Sequence, residues 1–162
     1  MDNNKKAQLM ALVAACIVLC MKATADPLPI TPNAKLTPGA RNPAATLKAV
    51  CVKGYTAGKG IRNVSEATKR QVFAEYNIDP KSDHFEIDHL ISLELGGSNN
   101  IKNLWPQSYD TAPLNAHTKD ALEDHLHALV CSKKANLLSV QKDIATDWTA
   151  AYVKYIGPLP TR

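Results

Sequence analysis

Apolar residues recur with helical spacing in three stretches of this chain. In the first, Val72 and Phe73 share a face with Tyr76, and Ser65 is placed to cap the helix. A second predicted helix starts between Ala112 and Asn115. It ends near Cys131, and its apolar stripe consists of Leu122, Leu126, Leu129 and Val130.

A third helix is predicted from Asn136, which can act as its N-cap. Apolar residues recur along it at every fourth position: Val140, Ile144, Trp148 and Tyr152. The three stripes are the predicted helical part of the core.

Between the first two helices the spacing changes to that of strands. A short β-type run contains Phe85 and Ile87 and is followed by Leu90 and Ile91. The Gly-Gly-Ser-Asn-Asn sequence at 96 to 100 lets the chain reverse sharply. A short apolar return at 103 to 105, closed by a proline, completes a strand, loop, strand and helix order, which predicts an α+β fold.

Residues 1 to 25 have the pattern of a secretory leader. Lys5 and Lys6 precede an apolar run from Ala7 to Met21, and Ala-Thr-Ala at 23 to 25 supplies a cleavage site. The run is too short for a comfortable membrane span, so an exported protein, periplasmic or secreted, is expected.

Lipoprotein processing at Cys16 is the alternative. Residues 13 to 16 read VAAC and resemble a lipobox, but the chain stays hydrophobic at 17 to 19. Cleavage before Asp26 is therefore the prediction, and it leaves a chain long enough for one domain with a modest core.

The remaining chain divides by composition. Residues 26 to 45 contain five prolines and few large apolar groups, which predicts an extended linker. A single domain is predicted over 46 to 157, with a short tail at 158 to 162. Cys51 and Cys131 remain after the leader is removed, and in an oxidising compartment we expect them to be bridged, with two buried thiols as the alternative.

Charge alone does not identify a partner. The whole chain carries +4, and removal of the leader leaves 16 basic against 14 acidic side chains, or +2. Basic residues nevertheless gather before the β-type run, and among them Arg62, Lys69 and Arg70 are candidate phosphate contacts. An ordinary solvated face is the alternative.

The stretch from Glu86 to Gln107 carries the candidate chemistry. It reads EIDHLISLELGGSNNIKNLWPQ and resembles the HNH (His-Me finger) endonucleases, particularly small exported bacterial HNH proteins. The likeness extends upstream to VSEATKRQVFAEYNI and downstream to NAHTKDALEDHLHALVC. The resemblance implies a small ββα-metal unit packed among three or so helices.

The resemblance also implies a role for each residue of the motif. His89 is expected to be the general base and Asp88 beside it a metal ligand. Asn103 is expected to fix the loop of the catalytic motif, and His117 is the expected helix-borne metal ligand.

The sequence departs from the family pattern at two places. Ser92 replaces a more usual proline and is expected to alter a turn, not the chemistry. Inserted residues 108 to 113 lengthen the path to the helix, which leaves Asn115 as an alternative ligand to His117.

The residues themselves suit phosphodiester hydrolysis. Histidine is mostly neutral at pH 7 and can take a proton from water, and a divalent cation held by a carboxylate and an imidazole can stabilise the leaving oxygen. Adjacent strand residues point to opposite faces, so Asp88 and His89 can share a cleft only where the strand ends or kinks.

The expected function is an exported, metal-dependent endonuclease with one divalent ion. Mg²⁺ is expected, with Mn²⁺ and Zn²⁺ as alternatives. The expected substrate is nucleic acid, DNA rather than RNA, cut by a monomer with little sequence specificity. The alternative is an exported binding or structural protein that keeps the HNH frame without turnover.

Overall fold

The computed structural model describes residues 31–58, 60–82 and 84–161. Of Ala57, it describes the backbone only. This part of the chain is a mixed α+β structure with five α-helices and one two-stranded antiparallel sheet. The helices are α1 (Leu47–Val50), α2 (Glu66–Glu75), α3 (Ala116–Cys131), α4 (Leu137–Thr146) and α5 (Trp148–Tyr155), and the strands are β1 (Phe85–His89) and β2 (Leu104–Ser108). Three 3₁₀ turns lie at Tyr55–Ala57, Leu93–Leu95 and Ile101–Asn103.

Several predictions concern residues outside those ranges. The leader at 1 to 25, its alternative processing site Cys16, and residues 26 to 30 of the predicted linker all lie outside the described residues. Among the helices that are described, none is long and apolar enough to cross a membrane.

The two strands pair antiparallel, with Asp88 opposite Trp105 and His89 opposite Leu104. Trp105 is fully buried and anchors the sheet in the core. Pro106 is tolerated in β2 because both strands of a two-stranded sheet are edges. Strand β1 ends at His89, which places the candidate site at the end of the sheet.

Part of the segment predicted as a linker is bound to the loop between the strands. Gly39 N–H donates to the Lys102 carbonyl, Asn42 N–H donates to the Gly96 carbonyl, and the Ala40 carbonyl accepts from Ser98 N–H. Low hydrophobicity predicts few apolar contacts, but the backbone of such a segment can still form hydrogen bonds with the backbone of a loop. This backbone pairing joins residues 39 to 42 to the folded unit.

Helix α2 follows its predicted pattern. The Ser65 hydroxyl accepts a hydrogen bond from Thr68 N–H, and Val72 and Phe73 are buried. Tyr76 lies just beyond the helix end, and its hydroxyl is 2.8 Å from the Thr37 hydroxyl. The cap and the apolar face therefore account for this element.

The prediction of a single third helix is wrong, because the chain breaks at Asp147 between α4 and α5. Asp147 has an extended backbone (φ −163°, ψ 102°), and its carboxylate accepts hydrogen bonds from Thr149 N–H and Ala150 N–H. A short carboxylate that caps the following residues competes with helix continuation. All four residues of the predicted stripe are nevertheless buried: Val140, Ile144, Trp148 and Tyr152.

Helix α3 joins the site to the core. Its N-cap is Asn115, and its buried apolar residues include Leu122, Leu126 and Val130. The helix ends at Cys131, which forms the predicted disulfide with Cys51, with Cα atoms 5.4 Å apart. In the chain-entropy description a bridge across so long a loop stabilises the fold by about 4 kcal/mol.

Candidate active site

A polar cleft of about 360 Å³ lies between the chain before α2, strand β1 and helix α3. Its walls include residues 62 to 64, residues 86 to 89, and Asp120 and Glu123 of α3. Asp88 and His89 both line it although they are neighbours in a strand, since β1 ends at His89. The predicted base and the predicted metal-binding carboxylate therefore share one cleft.

Burial favours the neutral form of the His89 imidazole. Only 8% of the residue is exposed, and its Nε2 lies 2.9 Å from Asn99 Oδ1. Burial lowers the pKa of His89, while the hydrogen bond to Asn99 and the charge of Asp88 oppose that change. A histidine with a lowered pKa is unprotonated at neutral pH and can accept a proton.

Asn103 is fully buried and uses its whole amide to hold the loop after β1. Its Oδ1 accepts from Ile91 N–H (2.9 Å) and Ala40 N–H (3.2 Å). Its Nδ2 donates to the carbonyls of Ile91 and Ser98, both at 3.0 Å. Asn103 is not among the residues that line the cleft. It acts on the site through the backbone groups of the loop to which it is hydrogen-bonded.

The same loop leaves no room for a side chain at Gly97. A Cβ atom there would lie 1.7 Å from the Ile91 carbonyl oxygen and 2.9 Å from Asn103 Nδ2. Glycine is required at this position because the two ends of the loop approach closely.

A buried lysine, Lys119, binds the predicted metal ligand. The Lys119 Nζ donates to Asp88 Oδ2 at 2.6 Å, to the His89 carbonyl at 2.9 Å, and to Glu123 Oε1. Its side chain is only 1% exposed. Burial alone would lower the pKa of Lys119, but the charges of Asp88 and Glu123 outweigh that effect and raise it. The lysine is therefore a fixed, buried positive charge bound to two carboxyls that line the cleft.

Glu123 is the second carboxyl bound to this lysine. Burial raises the pKa of Glu123, the Asp88 charge adds to the rise, and the nearby Lys119 opposes it. A hydrogen bond from Ser92 also favours the charged form of Glu123. Ser92, predicted to alter only a turn, thus lines the cleft and contacts one of its ionisable groups.

Two further acids crowd the same wall. Burial, followed by the charge of Asp88, raises the pKa of both Glu86 and Asp120. Glu86 Oε2 accepts a hydrogen bond of 2.9 Å from the Tyr109 hydroxyl, and burial together with Glu86 raises the pKa of Tyr109 to about 12. The cleft has more carboxyl groups than Lys119 can neutralise.

Neither predicted helical ligand is part of the cleft lining. Asn115 is the α3 cap: its Oδ1 accepts from Thr118 N–H at 3.1 Å, and its Nδ2 donates to the Tyr109 carbonyl at 3.2 Å. The His117 ring lies against the Tyr109 ring, with centroids 5.5 Å apart. The residue of α3 that lines the cleft one turn later is Asp120.

The predicted phosphate contacts divide between two locations. Arg62 and Lys69 line the cleft, and Lys69 forms an exposed ion pair with Glu66 at 2.8 Å. Arg70 is exposed and is not part of the lining. The cleft lining therefore contains positive side chains as well as the acids of β1 and α3.

The described residues contain one cluster of three side chains whose possible metal-binding atoms lie within 4.8 Å of one another: Cys51, His127 and Cys131. Both sulfurs belong to the disulfide, so neither offers a thiolate. His127 Nε2 also lies 2.9 Å from the Val50 carbonyl oxygen. This cluster therefore consists of the disulfide and a neighbouring histidine, and none of its three residues lines the cleft.

Four residues in or next to the cleft were not predicted from the sequence as site residues: Lys119, Asp120, Glu123 and Asn99. A signal for the lysine was present: Lys119 lies three residues before Leu122 and seven before Leu126, within the apolar stripe of α3. A charged residue on the buried face of a helix needs a partner of opposite charge. No comparable pattern distinguishes Asn99 from its neighbour Asn100.

Comparison of this chain with protein-family models, with curated proteins and with solved structures finds no match. The case for a function therefore depends on the residues of the cleft.

Proposed function

We propose that this protein is an exported, metal-dependent endonuclease that hydrolyses phosphodiester bonds, with DNA as its main substrate and little sequence specificity. The observation that carries the proposal is a buried histidine with a lowered pKa, His89, beside the Asp88 carboxylate in a cleft that Arg62 and Lys69 also line. The order of β1, loop, β2 and α3 around it supports the proposal of a ββα-metal unit.

His89 has the properties of a general base for water. The lowered pKa keeps the imidazole ready to accept a proton, and the cleft admits solvent beside it. Arg62 and Lys69 supply positive charge where the phosphate gathers negative charge in the transition state. Their contacts would be with phosphate oxygens, which accounts for low sequence specificity.

The acids of the cleft fit a hard divalent cation. Asp88, Glu86 and Asp120 are oxygen donors, and the raised pKa values of Glu86 and Asp120 reflect burial and negative charge that a cation would offset. Asp88 and Asp120, which both line the cleft, would hold the ion, and such oxygen donors favour Mg²⁺ or Mn²⁺ over Zn²⁺. His117, the predicted imidazole ligand, lies outside that lining. When bound, the ion supplies Lewis-acid stabilisation of the leaving oxygen.

Cleavage of plasmid DNA by the oxidised mature protein tests this proposal. We expect Mg²⁺-dependent fragmentation that EDTA abolishes, and His89→Ala should lower the rate by about 10²- to 10⁴-fold. His125→Ala is the matched control, because His125 is an exposed histidine on α3. Parental cleavage by the His89 variant would exclude His89 as the base.

Metal titrations by calorimetry test the ligand set independently of cleavage. Asp88→Asn should lose most affinity for Mg²⁺ or Mn²⁺. Comparison of Asp120→Asn, His117→Ala and Asn115→Ala then identifies the helical ligand. We expect Asn115→Ala to bind as the parent does, because both ends of that amide are used in the cap.

One observation favours the alternative of an exported binding or structural protein without turnover. Lys119 Nζ bonds to Asp88 Oδ2, so a fixed cation already partly neutralises the predicted metal-binding carboxylate. Under this alternative, DNA is retained in a binding assay but not cut, with or without added metal. We expect instead that the protein cuts DNA and that it does so as a monomer.

A further inference from the structure

We propose that Asn99 is a positioning residue that holds the His89 ring in the tautomer protonated at Nε2, which leaves Nδ1 as the atom that accepts a proton. The role of that atom in catalysis rests on the proposed function, whereas the tautomer does not. Asn99 lies ten residues after His89 in the loop between the strands.

The orientation of the Asn99 amide follows from its other contacts. Its nitrogen, Nδ2, lies 2.9 Å from the Ile61 carbonyl oxygen and 3.5 Å from the Gly60 carbonyl oxygen. A backbone carbonyl can only accept a hydrogen bond, so the NH₂ end of the amide must face these two groups. The oxygen, Oδ1, must then face His89.

This orientation determines which ring nitrogen of His89 carries the proton. Asn99 Oδ1 lies 2.9 Å from His89 Nε2, and an amide oxygen can only accept. In the neutral imidazole one nitrogen donates and the other accepts, so Nε2 must be the donor. The unprotonated nitrogen is Nδ1, which has the lone pair that a base requires.

Two further contacts restrict where His89 can move. The His89 carbonyl accepts from Lys119 Nζ at 2.9 Å, which fixes its backbone to α3. Asn99 fixes the far side of the ring. Together these bonds hold His89 at its backbone carbonyl and at the Nε2 of its ring, and neither uses Nδ1.

The same amide joins the imidazole to the chain segment that carries a cleft cation. Ile61, whose carbonyl binds Asn99, immediately precedes Arg62. Asn99 therefore sets the distance between His89 and the Arg62 backbone through two hydrogen bonds. Replacement of Asn99 by aspartate separates the two functions, because a carboxylate can still accept from Nε2 but cannot donate to Ile61.

The deciding experiment is a two-bond ¹H–¹⁵N correlation spectrum of the histidine rings in ¹⁵N-labelled oxidised protein. The pH is set about two units above the ordinary histidine pKa of about 6.5, so that the rings are neutral. A His89→Gln spectrum assigns the His89 signals. We expect the parental ring to be protonated at Nε2.

The variants then test whether Asn99 is the cause. Asn99→Ala should give a mixture of the two tautomers, and Asn99→Asp should keep the parental one. The matched control is Asn100→Ala, because the Asn100 side chain accepts a hydrogen bond from Lys102 N–H and not from the His89 ring. A parental ring protonated at Nδ1, or an Asn99→Ala ring identical to the parental ring, would overturn the proposal.

Cleavage kinetics provide the second arm. Loss of a fixed ring orientation should lower kcat of Asn99→Ala by about 10- to 100-fold with little change in KM, and thermal unfolding verifies that the variant is folded. A raised KM with parental kcat would instead assign Asn99 to substrate binding. That result would overturn the proposal that Asn99 positions the His89 ring. If the parental protein cuts no nucleic acid, the proposed function fails, and the tautomer spectra still decide the Asn99 contact.

Discussion

Two clusters hold the candidate site, and they differ in chemistry. The amide clamp consists of Asn103 and the backbone of Ala40, Ile91 and Ser98, which are all neutral groups. The ionic clamp consists of Lys119, Asp88, Glu123 and the His89 carbonyl.

The two clamps have different consequences for the cleft. The amide clamp ties backbone to backbone without contributing to the cleft lining, so it sets the shape of the loop independently of pH. The ionic clamp contributes Asp88 and Glu123 to the lining, and it contains two carboxyls for one ammonium. An added cation or phosphate therefore acts on the ionic clamp first. Shape and charge are controlled by separate residues.

The largest expected effect comes from removing the cation of the ionic clamp. Lys119→Met keeps the length of the side chain but leaves Asp88 and Glu123 without their partner. Breaking a buried ion pair in this way should lower the free energy of unfolding by about 4 kcal/mol, measured by urea denaturation near neutral pH.

Two variants sharpen that measurement. Lys134→Met, at an exposed lysine, should change stability by less than about 0.5 kcal/mol. Adding Glu123→Gln to Lys119→Met should restore part of the loss. Parental stability of Lys119→Met would contradict the view that the ammonium balances the two carboxyls.

The amide clamp should give the next largest effect. Asn103→Ala leaves buried backbone groups of Ile91 and Ser98 without partners, and we expect a loss of about 3 kcal/mol in the free energy of unfolding. Unlike the effect at Lys119, this loss should be nearly the same at every pH. A strong pH dependence of the Asn103→Ala loss would show that the two clamps are not independent.

In the parental protein, the pH dependence of the free energy of unfolding is a smaller effect, and it distinguishes the ionic clamp from the amide clamp. Glu123, Glu86 and Asp120 have raised pKa values in the folded state, so the folded protein binds more protons than the unfolded one above about pH 4.5. The stability they contribute is complete below that pH and is lost as pH rises through the folded pKa values.

Glu123→Gln should reduce this dependence, because it removes the most buried of the three carboxyls. The measurement is a series of urea denaturation curves between about pH 5 and 8, with an expected difference in slope equivalent to about 1 kcal/mol over the range. Parallel curves for the parent and the variant would exclude Glu123 as a source of the pH dependence.

The smallest expected effect concerns Ser92, which supports the ionic clamp from the loop. Ser92→Ala removes its hydrogen bond to Glu123 and should cost about 1 kcal/mol above the raised pKa of Glu123, about 8, where this carboxyl is charged. The loss should shrink as the pH falls below that value, because protonated Glu123 no longer needs a donor. An equal loss at both pH values would indicate a role in the turn alone.

The elements that could be predicted depend on short-range chemistry. Ser65 caps α2 through a bond to a residue three positions away, and the apolar stripe of α3 follows from its spacing. The predicted single helix after Asn136 failed because apolar spacing continues through Asp147, while the aspartate carboxylate ends one helix and caps the next. Spacing reports which face is buried, and it does not report where the backbone breaks.

The candidate site was predictable to the extent that it lies in one motif. Asp88, His89 and Asn103 lie within sixteen consecutive residues, and their arrangement depends on one strand end and one loop. The helical contribution was less accessible, because a change of one position along α3 turns a side chain by about 100°. His117 and Asp120 are three positions apart, which places their side chains about 60° apart around the helix and about one turn apart along it, and only Asp120 lines the cleft.

The sequence by itself determined the local parts: a capped α2, an apolar stripe on α3, two short strands, a pair of cysteines and an Asp-His pair at a strand end. Only the tertiary structure decided that Lys119 meets Asp88 across 31 positions and that Asn99 is held by Ile61 across 38. The physical reason is that hydrogen bonds and ion pairs depend on distances of about 3 Å, which spacing along a chain does not specify. The contacts of Lys119 with the end of β1, and of Asn99 with residues 60 and 61, set those distances and with them the charge of the site.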